Sequence, residues 1–228
     1  MRGAHFFRRM FRLLALLAAG LLAAVLALIL LYAWVTPPTT TLMLAERISG
    51  RPVVQRWVPI GRISPHLQRA VVLSEDAHFC RHYGVDLGEL RDSLRQARRG
   101  GRLRGASTIP MQVVKNLFLW PQRSFVRKAV EIPLALTADA AWSKRRMLEI
   151  YLNIAEWAPG VFGAEAAARH HFNKSASRLS RLEAARLAAI LPNPRRSAAK
   201  PGRLTRRRSA RIMARMKRSR RLTDCIGN

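Results

Sequence analysis

The N-terminal end carries the plainest hydrophobic pattern in the chain. Residues 13–35 run for 23 positions without a charge and with a single glycine. As a helix they would extend about 34 Å, enough to cross a hydrocarbon core of roughly 30 Å with modest tilt. Tyr32 and Trp34 stand at the far end, where amphipathic rings favour an interface. Residues 36–41, Thr-Pro-Pro-Thr-Thr-Thr, then predict a stiff extended linker.

From residue 64 onward the apolar spacing becomes helical. Behind Pro65, which suits a first turn, Leu67, Ala70, Val71 and Ser74 recur at i, i+3, i+4 and i+7 and predict a helix over 64–74. Residues 99–105 are glycine-rich without periodicity and predict a mobile loop. Ser107 reads as the N-cap of a helix running to 119. Further helices are predicted over 125–141, 143–152, 163–172 and 180–191, the last stopped by Pro192 and Pro194. A final helix over 203–221 is strongly basic and only weakly amphipathic. No long alternating run reads as a strand, and the one β expectation is a small hairpin near 41–57. The pattern predicts a cytoplasmic stretch (1–12), a transmembrane helix (13–35), a juxtamembrane linker (36–62), one mostly helical domain (63–194) and a basic tail (195–228).

Charge adds direction to this layout. Arg2, Arg8, Arg9 and Arg12 precede the apolar run, whereas Arg47 is the one basic residue in the fifteen that follow it. The positive-inside rule therefore puts the N-terminus in the cytoplasm and the rest outside. The run is also too long for the apolar part of a cleaved signal peptide. Over the whole chain 41 Lys and Arg face 13 Asp and Glu, a formal charge of +28, which favours polyanionic partners or phosphate-bearing substrates. Cys80 and Cys225 are far apart in sequence; they form neither a disulfide framework nor a metal spacing, and are expected as unpaired thiols. His170 and His171 are adjacent and cannot share the i, i+4 face used by zinc sites, so no metal ligand set is expected.

With so few acids, candidate chemistry comes from short stretches. The first is Ser74-Glu75-Asp76-Ala77-His78-Phe79-Cys80-Arg81-His82-Tyr83-Gly84. It is either an exposed acidic turn or a site where Glu75, beside a like charge and near Phe79, keeps a proton and serves as a base near neutral pH. The second runs from Gly105 to Leu119. Its Gln112 and Lys115 share a helix face, and Ser107 could cap the helix or contact substrate at an anion-binding N-terminus. The third, Arg123 to Glu131, sets Arg127 and Lys128 one turn before Glu131. That is either a surface ion pair or a second acid held ionised beside cations.

Together these stretches resemble the biosynthetic peptidoglycan glycosyltransferases, glycosyltransferase family 51, in their monofunctional form. The resemblance rests on Glu75-Asp76, Phe79, His82 and Gly84; on Gly105 through Leu119; on Arg127, Lys128 and Glu131; on Lys144 through Asn153; and on Phe172, Lys174 and Glu183. Ala106 departs from a usual Gly, and Pro110 and Met111 depart from polar residues. The resemblance implies a mostly α fold, a lysozyme-like helical domain preceded by one transmembrane helix. It implies that lipid II is polymerised into a β-1,4 glycan with inversion and release of undecaprenyl diphosphate. Glu75 would be the base and Glu131 the second carboxylate. Ser107, Gln112, Lys115, Arg123, Arg127 and Lys128 would meet substrate or diphosphate.

No cofactor is implied with certainty, and there is room for a divalent cation. The expected partners are lipid II, the growing lipid-linked glycan, the membrane and cell-division or elongation proteins, with no nucleic acid. The expected location is the inner membrane, with the catalytic domain in the periplasm. Two other readings compete. A lysozyme-like enzyme that cleaves peptidoglycan would need no basic diphosphate site. A tethered polyanion-binding protein would use the thirteen Lys and Arg between residues 195 and 221.

Overall fold

The computed structural model describes residues 2–101, 107–122, 124–197, 202–218 and 221–227. The chain forms two compact units, residues 1–37 and 38–228. The first is built on one helix, α1 (Arg2–Tyr32), whose stretch His5–Tyr32 is long and apolar enough to cross a membrane. It starts earlier than predicted, taking Arg8, Arg9 and Arg12 into helix. It also ends three residues sooner, where the approach of Pro37 and Pro38 disfavours further helical backbone.

The second unit opens with α2 (Thr41–Ile48) instead of the expected hairpin. The Thr40 side chain accepts the Met43 N–H at 3.1 Å and starts a helix that buries Met43 and Glu46, three residues apart. Within the threonine run Thr40 keeps the expected extended backbone and caps the helix, which Thr41 begins. Strand β1 (Val54–Gln55) pairs in parallel with β3 (Val161–Phe162), and β3 pairs antiparallel with β2 (Glu156–Ala158). Sequence alternation could not reveal strands of two or three residues. Gly160, at φ +72, makes the β2–β3 turn; a Cβ there would lie 2.2 Å from the Pro52 carbonyl oxygen.

The helices that follow are α3 (Pro65–Glu75), α4 (Leu87–Arg98), α5 (Ile109–Phe118), α6 (Phe125–Ala141), α7 (Lys144–Ile154), α8 (Ala164–Phe172), α9 (Arg181–Ile190), α10 (Pro194–Ser197) and α11 (Arg203–Arg218). Most lie within two residues of their predicted bounds. α4 was not predicted, because its polar sequence carries few apolar anchors. The glycine-rich loop expected at 99–105 falls largely outside the described residues.

Two helix groups position the site. α3 buries Leu67, Ala70, Val71, Val72 and Leu73 against α9 and α11. α9 approaches closely because its inward residues Ala184, Ala185, Ala188 and Ala189 are small. α5 packs on α6 and α7 through Ile109, Met111, Val113, Val114 and Leu117. α11 is more amphipathic than its sequence suggested: Ser209, Ile212 and Met216 form a narrow buried stripe under an otherwise basic surface. The unit thus packs together residues on both sides of 63–194.

α7 also anchors the segment before α3. Asn153 is fully buried; its amide donates to the Val58 and Glu149 carbonyls at 2.9 and 2.8 Å, while its Oδ1 accepts the Val58 N–H at 2.9 Å. Both amide hydrogens and the carbonyl oxygen have partners, which makes it a rigid strut.

Candidate active site

Helix α3 ends on Glu75, and α5 brings Gln112 up to it. The Glu75 carboxyl accepts from Gln112 Nε2 at 3.3 Å and from Ser74 Oγ at 3.2 Å. Burial raises its pKa above the usual carboxylate value. The Gln112 bond, the Arg208 charge and the Ser74 bond oppose that rise, and the neighbouring Asp76 charge adds least to it. Burial, and not an acid pair sharing a proton, is therefore what favours the protonated form.

Asp76 serves another purpose. It caps the C-terminus of α3 with extended backbone, φ −158. It accepts the Ile109 N–H at 2.9 Å and meets His82 Nε2 at 2.8 and 3.0 Å. An anion at the start of α5 satisfies an otherwise unpaired N–H and suits the helix dipole. Asp76 clamps the end of α3 to the start of α5. Phe79 is buried against this clamp, with Lys144 Nζ 4.9 Å above its ring and bonded to the His82 carbonyl and Asp139.

The cap of α5 is Thr108, not Ser107. Its Oγ1 accepts the Met111 N–H at 3.4 Å and donates to the Gly84 carbonyl at 2.5 Å. Pro110 thereby falls in the first turn, where a missing N–H costs little. Gly84, at φ +66, lies so close to α6 that a Cβ would meet the Ala135 carbonyl oxygen at 2.7 Å.

Freed from capping, Ser107 joins the second cluster. Lys128 Nζ bonds Glu131 Oε1 at 2.8 Å and approaches Ser107 Oγ at 3.5 Å and Met111 Sδ at 3.8 Å. Glu131 is 1% exposed, which rules out the surface ion pair. Among the described residues its second oxygen has no hydrogen-bond partner, nor has Arg127 Nε. Arg127 does not hold Glu131 as expected; it is buried and donates to the Trp120 carbonyl at 3.4 Å. Lys115 lies half-buried on α5. Arg123 lies outside the described residues. The start of α5 thus carries two clusters, Gln112 with Glu75 and Met111 with Lys128 and Glu131.

Several features of this region are not legible in the local sequence pattern. Arg208, on α11, places its charge in reach of Glu75, but nothing in its arginine-rich surroundings singles it out. Tyr151 Oη donates to Gln112 Oε1 at 3.1 Å from inside α7. Cys80 and Cys225 form a disulfide, with Cα atoms 5.5 Å apart across 145 residues of sequence. Their distance along the chain concealed a proximity created by α11, which returns the C-terminal segment to α3 and α7. In addition, His78, Asp86 and Glu89 bring ligand atoms within 4.8 Å of one another. Spacing along a single helix could not foresee this partly exposed group, in which His78 and Asp86 already pair at 2.7 Å.

The transglycosylase family model matches residues 43–217, which takes in both clusters and most of α11. Proteins named biosynthetic peptidoglycan transglycosylase are similar along most of the chain. The protein from Rhodospirillum centenum is 50% identical over 222 residues, 96% of each chain. That from Rhizobium meliloti is 54% identical over 190 residues, 83% of this chain and 80% of its own. That from Nitrobacter winogradskyi is 53% identical over 210 residues, 91% and 92%. Similarity of this extent, on a lysozyme-like helical frame, means that the chain belongs to the transglycosylase family.

Proposed function

We propose that this protein polymerises lipid II into β-1,4-linked glycan strands. The acceptor's 4-hydroxyl oxygen attacks the anomeric carbon of the donor sugar from the face opposite the diphosphate. The carbon–oxygen bond to the diphosphate breaks with inversion, and undecaprenyl diphosphate leaves with the electron pair. Glu75 takes the hydroxyl proton. The observation that carries this reading is the Glu75 carboxyl, its pKa raised by burial and facing a donor, Gln112, that can hold it in place. A base of this kind supplies roughly 10²–10⁴ in rate, so the departing charge needs its own stabilisation.

Lys128, Arg127, Lys115 and Arg123 are the groups we assign to the diphosphate, with Ser107 beside Lys128. Fixed cations in a partly dry site stabilise developing charge without reorganising. Glu131 orients Lys128 and keeps that charge in the site. The two carboxyls have different partners, Lys128 for Glu131 and Gln112 for Glu75, as an inverting centre with one base and one charge-holding acid requires. Phe125 and Val126, 90% and 68% exposed at the start of α6, offer apolar surface toward a lipid tail or bilayer.

We place the protein in the inner membrane with its N-terminus cytoplasmic and unit 38–228 in the periplasm. Two observations support this: the basic residues that precede the apolar helix, and a disulfide, which persists in oxidising compartments. Cell-division or elongation proteins are the partner class we infer. The test is incubation of the full chain in detergent with lipid II. Polymer and released undecaprenyl diphosphate are expected; cleavage of finished sacculi without polymer would overturn the reading in favour of a hydrolase.

A further inference from the structure

We propose that Tyr151 is a positioning residue for the glycosyl-transfer site, acting through the Gln112 amide to keep a hydrogen-bond donor on Glu75. The inference rests on the function proposed above. A glutamine amide has two ends, a carbonyl and an NH₂, and it can present either one to a neighbour. Tyr151 Oη sits 3.1 Å from Gln112 Oε1, and Gln112 Nε2 sits 3.3 Å from Glu75 Oε2. The phenol donates to the amide carbonyl, which turns the amide NH₂ toward the carboxylate. This polarised chain of two bonds favours ionised Glu75. The reversed amide would face its carbonyl to the carboxylate and favour the acid form.

Tyr151 is suited to a fixed role. It is 1% exposed within α7. Its own pKa is raised well above 10 by burial, then by the charges of Glu75 and Asp76, so the phenol stays protonated and remains a donor. The other groups acting on Glu75 come from different elements: Ser74 on α3, the Asp76 charge at its cap, and the Arg208 charge on α11. None of these touches the Gln112 carbonyl among the described contacts. Removing the phenol oxygen therefore leaves that carbonyl without its partner, while the other influences on Glu75 stay in place.

The test is Tyr151→Phe in the full chain, which keeps the ring and deletes only the hydroxyl. The expected result is a kcat lowered about tenfold, the effect of one lost hydrogen bond, with KM for lipid II little changed. The acid limb of the pH profile should move upward by up to about one unit. In a Gln112→Leu background the same substitution should add nothing, since the route through the amide is already cut. Isotope-edited infrared titration of Glu75, with no substrate present, should give the same upward shift. An unchanged acid limb and carboxyl titration would overturn the proposal while leaving lipid II polymerisation standing. So would effects of Tyr151→Phe and Gln112→Leu that simply add. A wild-type protein inert toward lipid II would instead sink the functional reading and, with it, any catalytic role for Tyr151; the infrared shift would then report only a structural hydrogen bond.

Discussion

Replacing both cysteines, Cys80→Ser with Cys225→Ser, should lower stability chiefly by freeing the unfolded chain. The bond closes a loop with a sequence separation of 145 residues. Chain-entropy reasoning gives about 5 kcal/mol for a loop of that length. Residual structure in the unfolded state reduces this, and losses of about 2–4 kcal/mol are typical. The native side should lose less. Cys225 is exposed and Cys80 half-buried, so serine leaves little cavity. The Ile226 side chain and the Arg145 bonds to the Ile226 and Gly227 carbonyls remain to hold the segment. Urea unfolding of the full chain in detergent, oxidised wild type against the double variant, is the assay. With a slope of about 2 kcal/mol per molar, the midpoint should fall by about 1–2 M. A thiol titration of denatured wild type should find no free sulfhydryl until reductant is added. Two free thiols, or coincident unfolding curves, would refute the reasoning.

Three other outcomes follow from the site and its frame. Glu75→Gln should abolish polymerisation, with a loss of at least about 10² in kcat, while the melting temperature holds or rises because a buried carboxyl has been made neutral; turnover close to wild type would remove Glu75 as the base. Glu131→Gln should also lose activity, and it should weaken inhibition by diphosphate-mimicking compounds as Lys128 loses its 2.8 Å partner; unaltered inhibition would count against assigning Lys128 to the diphosphate. Glu46, held at about 2 by bonds to Arg51 and by Arg195, has a folded pKa below the ordinary 4.5. Its stabilisation is present above pH 4.5 and is lost as pH falls toward 2. Glu46→Gln should therefore flatten the fall in melting temperature across that window. It should not erase it, since Glu183, also near 2, titrates there too; a curve parallel to wild type would show that Glu46 contributes nothing to the acid limb.

Hydrophobic periodicity located the major helices because each buries a face whose spacing is written locally. Helix 125–141 was legible residue for residue. Helix α4 was not, since its few apolar anchors sit among charges. The β strands escaped because two or three residues carry no period. At α11 three buried positions in sixteen residues gave a stripe too narrow to read among arginines. The cap of α5 shifted from Ser107 to Thr108 because both residues can cap, and only the Gly84 carbonyl within reach of Thr108 chooses between them.

By itself the sequence determined the helical class, the apolar anchor and the residues with chemical capacity, since periodicity, charge and residue type are local properties. Tertiary structure decided what those residues do to one another. It turned Asp76 from a supposed partner of Glu75 into a clamp on α5, and left burial as the force on Glu75's proton. It brought Tyr151 to Gln112 and Arg208 within range of Glu75, and it joined two cysteines that the sequence kept apart. Desolvation, hydrogen-bond direction and cross-chain proximity depend on where distant segments meet, and that is fixed only when the helices pack.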